Sequence, residues 1–205
     1  MSSRREESFL REQFSLALPE RGIVRFGEFR LSSGSSSPYY LDARLLRSFP
    51  DLFVMAVGFL EREIEKCRFH YIADVPTGVT PLVSALAYKK KIPMISPREP
   101  KTHGTMASIE GVYREGCTAV LIEDVVTRGG SVAKAIAILQ SGGVHVYDLI
   151  VLFDREQGGV EKLRNTCNVR VVFSISQEIE RYLKHGKITK DNYAAVKNML
   201  LTQRQ

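Results

Sequence analysis

The chain has 205 residues, of which 44% are hydrophobic, and it carries a formal net charge of +6. This length predicts one domain with a small appendage, and because no run reaches about 18 apolar residues, no membrane span is expected. The basic residues are scattered rather than clustered with aromatic side chains, so no nucleic acid partner is expected; a small polyanionic substrate or an ordinary solvated surface explains the charge.

The amino-terminal part predicts a helix and a small two-stranded cap. Residues 5–18 alternate charged and apolar side chains, as in an amphipathic helix. The charged start of the chain lacks the apolar stretch of a secretory signal, so we expect a cytoplasmic protein. Short strands are predicted at 23–26 and 28–31, and residues 38–41 follow a serine-rich turn, which together predict a hairpin. A core-facing helix is predicted over 51–66.

From residue 71 onward, apolar segments alternate with helical patterns. Strands of about 5–8 apolar residues that alternate with helices predict a parallel sheet covered on both faces. Ligands of such sheets bind at the carboxyl ends of the strands, so loops 76–80, 124–131 and 154–158 are expected at one site. The predicted strands are 71–75, 92–96, 119–126, 144–153 and 169–175; the predicted helices are 81–90, 131–141 and 156–165, with two short helices over 176–201.

Residues 120–132, VLIEDVVTRGGSV, combine an apolar strand, two adjacent carboxylates, a glycine turn and the start of a helix. The free backbone N–H groups of such a turn and the positive end of the helix bind phosphate. Glu123 and Asp124 can accept hydrogen bonds from sugar hydroxyls, so the segment offers both halves of a ribose 5-phosphate site. A glycine turn alone is ambiguous because it is common in α/β proteins. The spacing matches neither a Walker A loop nor a dinucleotide-binding fingerprint.

Residues 97–111 interrupt the alternation of strands and helices. The segment is polar, contains Arg98, Lys101 and His103, and is broken by two prolines and a glycine. It is too long for a tight turn. Two interpretations stay open, namely a mobile basic loop over an anionic ligand and a plain solvated hairpin.

Several of these segments resemble a known family. Residues 120–132 resemble the phosphoribosyl pyrophosphate (PRPP) signature of type I phosphoribosyltransferases. The strings LFDREQGG (152–159) and FGEFRLSSGSSSPYYLDAR (26–44) resemble signatures of the orotate phosphoribosyltransferases. The string EPKTHGT (99–105) resembles that family's catalytic loop. In order and spacing the match runs from about residue 22 to residue 176, which is most of the chain.

The resemblance implies the type I phosphoribosyltransferase fold, an α/β fold with a twisted, mostly parallel sheet flanked by helices. Residues 1–45 would form an amino-terminal helix and hood, and residues 46–205 the core domain. The implied reaction transfers the phosphoribosyl group of PRPP to orotate, giving orotidine 5′-monophosphate and pyrophosphate in UMP biosynthesis. Mg²⁺ would be held mainly by PRPP oxygens and water, without direct protein ligands. A homodimer with shared active sites is implied, because the family's catalytic loop reaches the neighbouring subunit's site.

The resemblance also implies roles for individual residues. Lys101, His103 and Asp124 would be catalytic. Arg155 would recognise the anionic pyrimidine, since a planar guanidinium suits a carboxylate or two carbonyl oxygens; the alternative is a structural pair with Asp154. The PRPP-binding residues would be Thr77, Gly78, Arg98, Lys101, His103, Glu123, Asp124, Val125, Val126, Thr127, Arg128, Gly129, Gly130 and Ser131, and the orotate-binding residues Tyr39, Tyr40, Leu41, Thr127 and Arg155.

The chain departs from the family pattern at three positions. Ser32 stands where the family has a lysine, Pro97 replaces one of two consecutive basic residues before the catalytic loop, and Arg128 replaces a small residue. Two alternatives therefore stay open, a transferase that uses another base and a non-catalytic PRPP-binding regulator. With 205 residues, we expect no fused orotidylate decarboxylase barrel in this polypeptide.

Overall fold

The computed structural model describes residues 2–30, 34, 36–98 and 108–203. Contacts divide the chain into two compact units, Met1–Met55 with Ser174–Gln205, and Ala56–Phe173. The domain boundary after residue 45 stays a prediction.

In chain order the elements are α1 (Ser2–Glu20), β1 (Val24–Arg30), β2 (Ser36–Leu41), a 3-10 helix (Ala43–Ser48), α2 (Pro50–Ile64), β3 (Tyr71–Asp74), α3 (Thr80–Lys90), β4 (Met94–Pro97), β5 (Ile109–Glu110), β6 (Thr118–Val126), α4 (Gly130–Ser141), β7 (His145–Asp154), α5 (Gly159–Leu163), β8 (Asn168–Ser174), α6 (Ile175–Lys184) and α7 (Lys190–Gln203).

The first unit joins both ends of the chain around the hairpin. β1 and β2 pair antiparallel, with a register shift between Phe26 and Phe29. The two strands predicted at 23–26 and 28–31 are therefore one strand, because the irregularity around Gly27 bends the strand without ending it. The core of this unit is apolar and includes Phe14, Leu18, Ile23, Tyr39 and Tyr182, all fully buried.

The second unit is built on a six-stranded sheet of order β5-β4-β3-β6-β7-β8. β3 pairs parallel with both β4 and β6, and β6 pairs parallel with β7. Only the two-residue strand β5 is shown to run antiparallel, against β4. The predicted mostly parallel α/β architecture is thus confirmed.

Helices flank this sheet through regularly spaced apolar faces. α4 buries Val132, Ala135, Ile136 and Leu139, which recur at helical spacing and join one large cluster with the strands. α3 buries Leu82, Val83, Leu86 and Ala87. None of the described helices is both long and apolar enough to cross a bilayer.

Two shifted element starts and one additional strand differ from the sequence-based expectation and have a physical reason. α5 begins at Gly159 rather than at residue 156, because the chain first makes a turn in which Glu156 and Gly158 both have positive φ. β4 begins at Met94, after Pro93, which has no backbone N–H to donate to a neighbouring strand. β5 lies in the segment expected to be a loop, and two residues are too few to leave a periodic signal.

Candidate active site

Three turns follow neighbouring strands at the carboxyl edge of the sheet. β3, β6 and β7 are parallel, and the last residues of β6 and β7, Val126 and Asp154, are paired in register. The turns 75–79, 127–129 and 155–158 follow these three strands. The strand order therefore brings together the loops that the sequence pattern places at one site.

Glu123 and Asp124 are held by the backbone that follows them. Glu123 is 6% exposed, and its Oε1 accepts a hydrogen bond from the Asp124 N–H at 2.9 Å. Asp124 Oδ1 accepts one from the Val125 N–H at 2.8 Å. Burial raises the pKa of Glu123, and the adjacent Asp124 charge raises it further. Glu123 therefore holds a proton near neutral pH.

The turn after β3 comes very close to the Asp124 carboxyl group. A Cβ atom on Gly78 would lie 2.7 Å from Asp124 Oδ2, so a larger residue would push the carboxylate away. The peptide bond between Pro76 and Thr77 in the same turn is cis. The structure thus places Gly78, and with it the neighbouring Thr77, beside the acidic pair.

The glycine turn predicted to bind phosphate leads directly into α4. Gly129 has a φ of 79°, in the left-handed region, and the helix begins at the next residue. The first N–H groups of a helix have no acceptor within it and lie at its positive end. The Arg128 side chain is exposed. Residues 127–131 therefore present backbone donors at one point of the sheet edge.

Gly159 supports this turn and was not among the predicted site residues. Its N–H donates to the Thr127 carbonyl oxygen at 3.0 Å. A Cβ atom on Gly159 would lie 2.5 Å from that oxygen and 2.7 Å from the Gly129 nitrogen. Both contacts are with backbone, so only glycine lets α5 start against the turn. The double glycine that ends LFDREQGG is the signal that could have identified it.

A cavity of about 310 Å³ lies beside the amino terminus of α4. Its two charged lining residues, Arg98 and Lys134, are both cations, and Ser131 adds a hydroxyl. Lys134 was not predicted; it follows Ser131 by one helical turn and so lies on the same face of α4. Arg98 also pairs with Glu110. Three positions singled out from the sequence lie outside the described residues: Ser32, Lys101 and His103.

The predicted base-binding residues fall in both units. Arg155, directly after β7, is only 6% exposed. In the other unit, Tyr39 and Leu41 of β2 are buried, and the Tyr40 ring lies against Phe29 with 5.7 Å between ring centroids.

Comparison with known proteins places the chain in a family. No protein-family model matches it. An orotate phosphoribosyltransferase of Cenarchaeum symbiosum is 41% identical over 155 residues, which are 73% of this chain and 78% of the relative. The crystal structure of orotate phosphoribosyltransferase from Aeropyrum pernix has a TM-score of 0.71 and 31% identity, covering 84% of this chain and 99% of that one. This chain belongs to the orotate phosphoribosyltransferase family.

By family the chain is a pentosyltransferase, and the two alternatives of another base and of a non-catalytic regulator are not favoured. Some relatives are much longer. The structure of Leishmania donovani UMP synthase matches with a TM-score of 0.84 and 31% identity over 93% of this chain, but the match spans 42% of that protein. The chain likewise spans 38% of the length of a bifunctional curated relative from Nostoc.

In this member of the family, Asp154 makes stability depend on pH. Its Oδ1 accepts a hydrogen bond from the Glu156 N–H at 2.7 Å, but burial raises the pKa of the carboxyl from 3.8 to about 6. Between these two pKa values the unfolded chain releases the proton while the folded chain keeps it. The free energy of unfolding therefore falls as the pH rises through this window and stays lowered above it.

Asp154→Asn is expected to raise the free energy of unfolding near neutral pH by up to about 3 kcal/mol, since asparagine cannot ionise. At about pH 3 the difference from the wild type should nearly vanish, because the aspartate is then mostly protonated in both states. Urea unfolding of both proteins across this range measures the difference, in which the titration of all other groups cancels. A variant that is less stable than the wild type near neutral pH contradicts the assignment.

Proposed function

We propose that this protein transfers the 5-phosphoribosyl group of PRPP to orotate, giving orotidine 5′-monophosphate and pyrophosphate in UMP biosynthesis. The observation that carries the proposal is the meeting of the acidic pair, the glycine turn and the Gly78 turn at one sheet edge, in a chain of this family. The reaction breaks the bond from C1′ to a diphosphate oxygen and forms a bond from C1′ to a ring nitrogen. The ribosyl group becomes cation-like on the way, so the site must hold the sugar, neutralise the leaving group and exclude water.

The 5′-phosphate is assigned to residues 127–131. The backbone N–H groups of this turn and the positive end of α4 suit a dianion, and the Thr127 and Ser131 hydroxyls add donors. The Gly159 N–H holds the turn in place by donating a hydrogen bond to the Thr127 carbonyl oxygen. The phosphate thereby anchors the substrate at a fixed distance from the acidic pair.

The ribose is assigned to Glu123 and Asp124. A protonated Glu123 can both donate to and accept from a sugar hydroxyl, whereas the ionised Asp124 only accepts. The negative charge on Asp124 also stabilises the positive charge that develops on the sugar when the bond at C1′ breaks. The two carboxyl groups thus serve different purposes, although they are adjacent in the chain.

The diphosphate is assigned to Thr77, Gly78 and Arg98, with Val125 and Val126 supplying backbone beside it. Lys101 and His103 are proposed from the family resemblance to cover the diphosphate and assist its departure. Mg²⁺ is the proposed cofactor. From the family resemblance we propose that this ion is held mainly by diphosphate oxygens and water. Such an ion would neutralise part of the negative charge on the departing diphosphate.

Orotate is assigned to Arg155 and Thr127; the backbone of residues 39–41 is added from the family resemblance alone. The guanidinium of Arg155 suits the carboxylate or the paired carbonyl oxygens of the base. From the family resemblance we also propose a cytoplasmic homodimer in which the catalytic loop of one subunit completes the partner's site.

The substrate test supplies Mg²⁺ and PRPP and offers orotate, uracil, adenine and hypoxanthine in separate reactions. Pyrophosphate release with orotate only is the expected result. Asp124→Asn serves as the control that turnover comes from this site. Turnover with a different base alone would replace orotate by that base, and tight PRPP binding without turnover on any base would identify a regulator.

A further inference from the structure

Asp74 is a buried carboxylate that the assignments above do not use. It ends β3 and has no exposed surface. Its Oδ2 accepts a hydrogen bond from the Thr80 hydroxyl, at the first residue of α3. Its Oδ1 is buried and has no hydrogen-bond partner among the described residues. The Asp74 side chain therefore connects the two ends of the turn 75–79 through one oxygen, while its other oxygen accepts no hydrogen bond from the described residues.

The burial of Asp74 lowers the stability of the folded protein. A buried carboxylate loses its hydration, and one hydrogen bond compensates for only part of that loss. The three preceding residues of β3 are Tyr71, Ile72 and Ala73, so the strand offers an apolar setting in which an apolar residue would fit at lower cost. A buried carboxyl group with an unpaired oxygen next to a cleft points to a functional role.

The position of Asp74 indicates what that role is. It is paired in register with Ile122, the residue before Glu123. The pKa of Glu123 is raised first by burial and then by Asp124, and the charge of Asp74 adds a weaker contribution. Asp74 thus acts electrostatically on the acidic pair. Gly78, in the turn that Asp74 closes, faces the Asp124 carboxylate.

We propose that Asp74 is a positioning residue of the transfer reaction. Through the Thr80 hydroxyl it holds the turn 75–79 against Asp124, and its charge adds to the negative field that stabilises the cation-like ribosyl group. The inference rests on the proposed function. Asp74 has no exposed surface, so it acts through Thr80 and through the field rather than by contact with the substrate.

Asp74→Asn tests the charge while keeping the shape and an oxygen for Thr80. We expect kcat to fall about tenfold, the KM for orotate to stay within about twofold, and the melting temperature to stay equal or rise, because a buried charge is removed. A residue with a purely structural role would give the opposite pattern, with lower stability and unchanged kinetic constants. Asp148→Asn is the matched control. This carboxylate lies in β7 away from the carboxyl edge and near Arg170, and its loss should leave kcat unchanged.

Thr80→Val and Thr80→Ser test the link to the turn independently, should Asp74→Asn fold poorly. Valine removes the hydroxyl and should lower kcat/KM for PRPP by about tenfold or more, whereas serine keeps it and should stay within about threefold of the wild type. Asp74→Ala removes the acceptor of this hydrogen bond, so in the double variant Asp74→Ala/Thr80→Val the losses in kcat/KM for PRPP should be less than additive, because either change alone already breaks the link. Equal constants for the valine and serine variants, with an unchanged kcat for Asp74→Asn, would overturn the proposal.

The wild-type assay separates this inference from the proposed function. If the wild type turns over orotate and the Asp74 and Thr80 variants match it, the inference fails while the function stands. If the wild type turns over no base, the proposed function fails. Calorimetric titration with Mg²⁺ and PRPP then still tests the link, since Thr80→Val should weaken PRPP binding about tenfold and Thr80→Ser should not.

Discussion

Asp124→Asn is expected to lower kcat by about 100- to 1,000-fold, whereas Glu123→Gln should lower it by less than about tenfold. The asymmetry follows from where the proton resides. Burial, and after it the charge of Asp124, raise the pKa of Glu123 to about 9, so Glu123 is neutral near pH 7. Glutamine replaces a neutral carboxyl group by a neutral amide. Asparagine removes the charge that faces the developing ribosyl cation.

Steady-state kinetics at saturating PRPP and orotate, near pH 7, measure both effects. Calorimetric titration with PRPP shows whether the substrate still binds, so a loss of kcat with retained binding identifies a transition-state effect. In the single Asp124→Asn variant, Glu123 is relieved of its charged neighbour and can ionise more readily. The double variant with Glu123→Gln should therefore be slower than Asp124→Asn. Equal losses from the two single changes would show that the charge is shared and that the assignment of the proton is wrong.

Gly159→Ala is expected to weaken PRPP binding by about 100-fold or more and to destabilise the fold by about 1–3 kcal/mol. The added methyl group would lie 2.5 Å from the Thr127 carbonyl oxygen and 2.7 Å from the Gly129 nitrogen. Neither atom belongs to a side chain that can rotate away, so the phosphate turn itself must move. A shift of about 1 Å in a group that positions a substrate is enough for a loss of this size.

Two glycines serve as controls for this change. Gly58 lies in α2, and a methyl group added there would have no atom within 4 Å, so Gly58→Ala should be neutral or stabilise the protein by up to about 1 kcal/mol. Gly130 also has nothing within 4 Å. Gly130→Ala should keep the melting temperature while weakening PRPP binding, because the methyl group crowds the bound phosphate but not the turn. Calorimetric titration measures the affinity for PRPP, and thermal unfolding measures the melting temperature. Unchanged PRPP affinity in Gly159→Ala would remove the turn 127–131 from the phosphate site.

Most of the sheet was predictable because its strands are short apolar runs bounded by glycine, proline or charged residues. β6 is the clearest case, since an apolar run ends at two carboxylates and a glycine turn. The hairpin β1–β2 was also foreseen from its turn. β5 was not predicted, because a strand of two residues is too short to show an alternating hydrophobic pattern. The start of α5 was not predicted either, because the turn around Glu156 decides its positive φ.

Some site residues were predictable from the sequence and others were not. Glu123, Asp124 and the glycine turn are contiguous, so the chemistry they offer can be read from one segment. Gly159 and Lys134 were missed because their importance depends on what lies across from them, the backbone of the turn in one case and a cavity in the other. Asp74 was missed because one carboxylate at a strand end is ordinary until it is known to be fully buried and half satisfied.

The amino-acid sequence by itself determined the alternation of strands and helices, the phosphate turn and the family, since each of these is written in local spacing and residue type. Only the tertiary structure decided which of two adjacent carboxyl groups keeps the proton, why Gly78 and Gly159 must lack a side chain, and that Asp74 closes the turn after β3. These properties depend on burial and on approaches of a few ångströms between residues distant in the chain. Folding brings such residues together, and no local pattern records the distance between them.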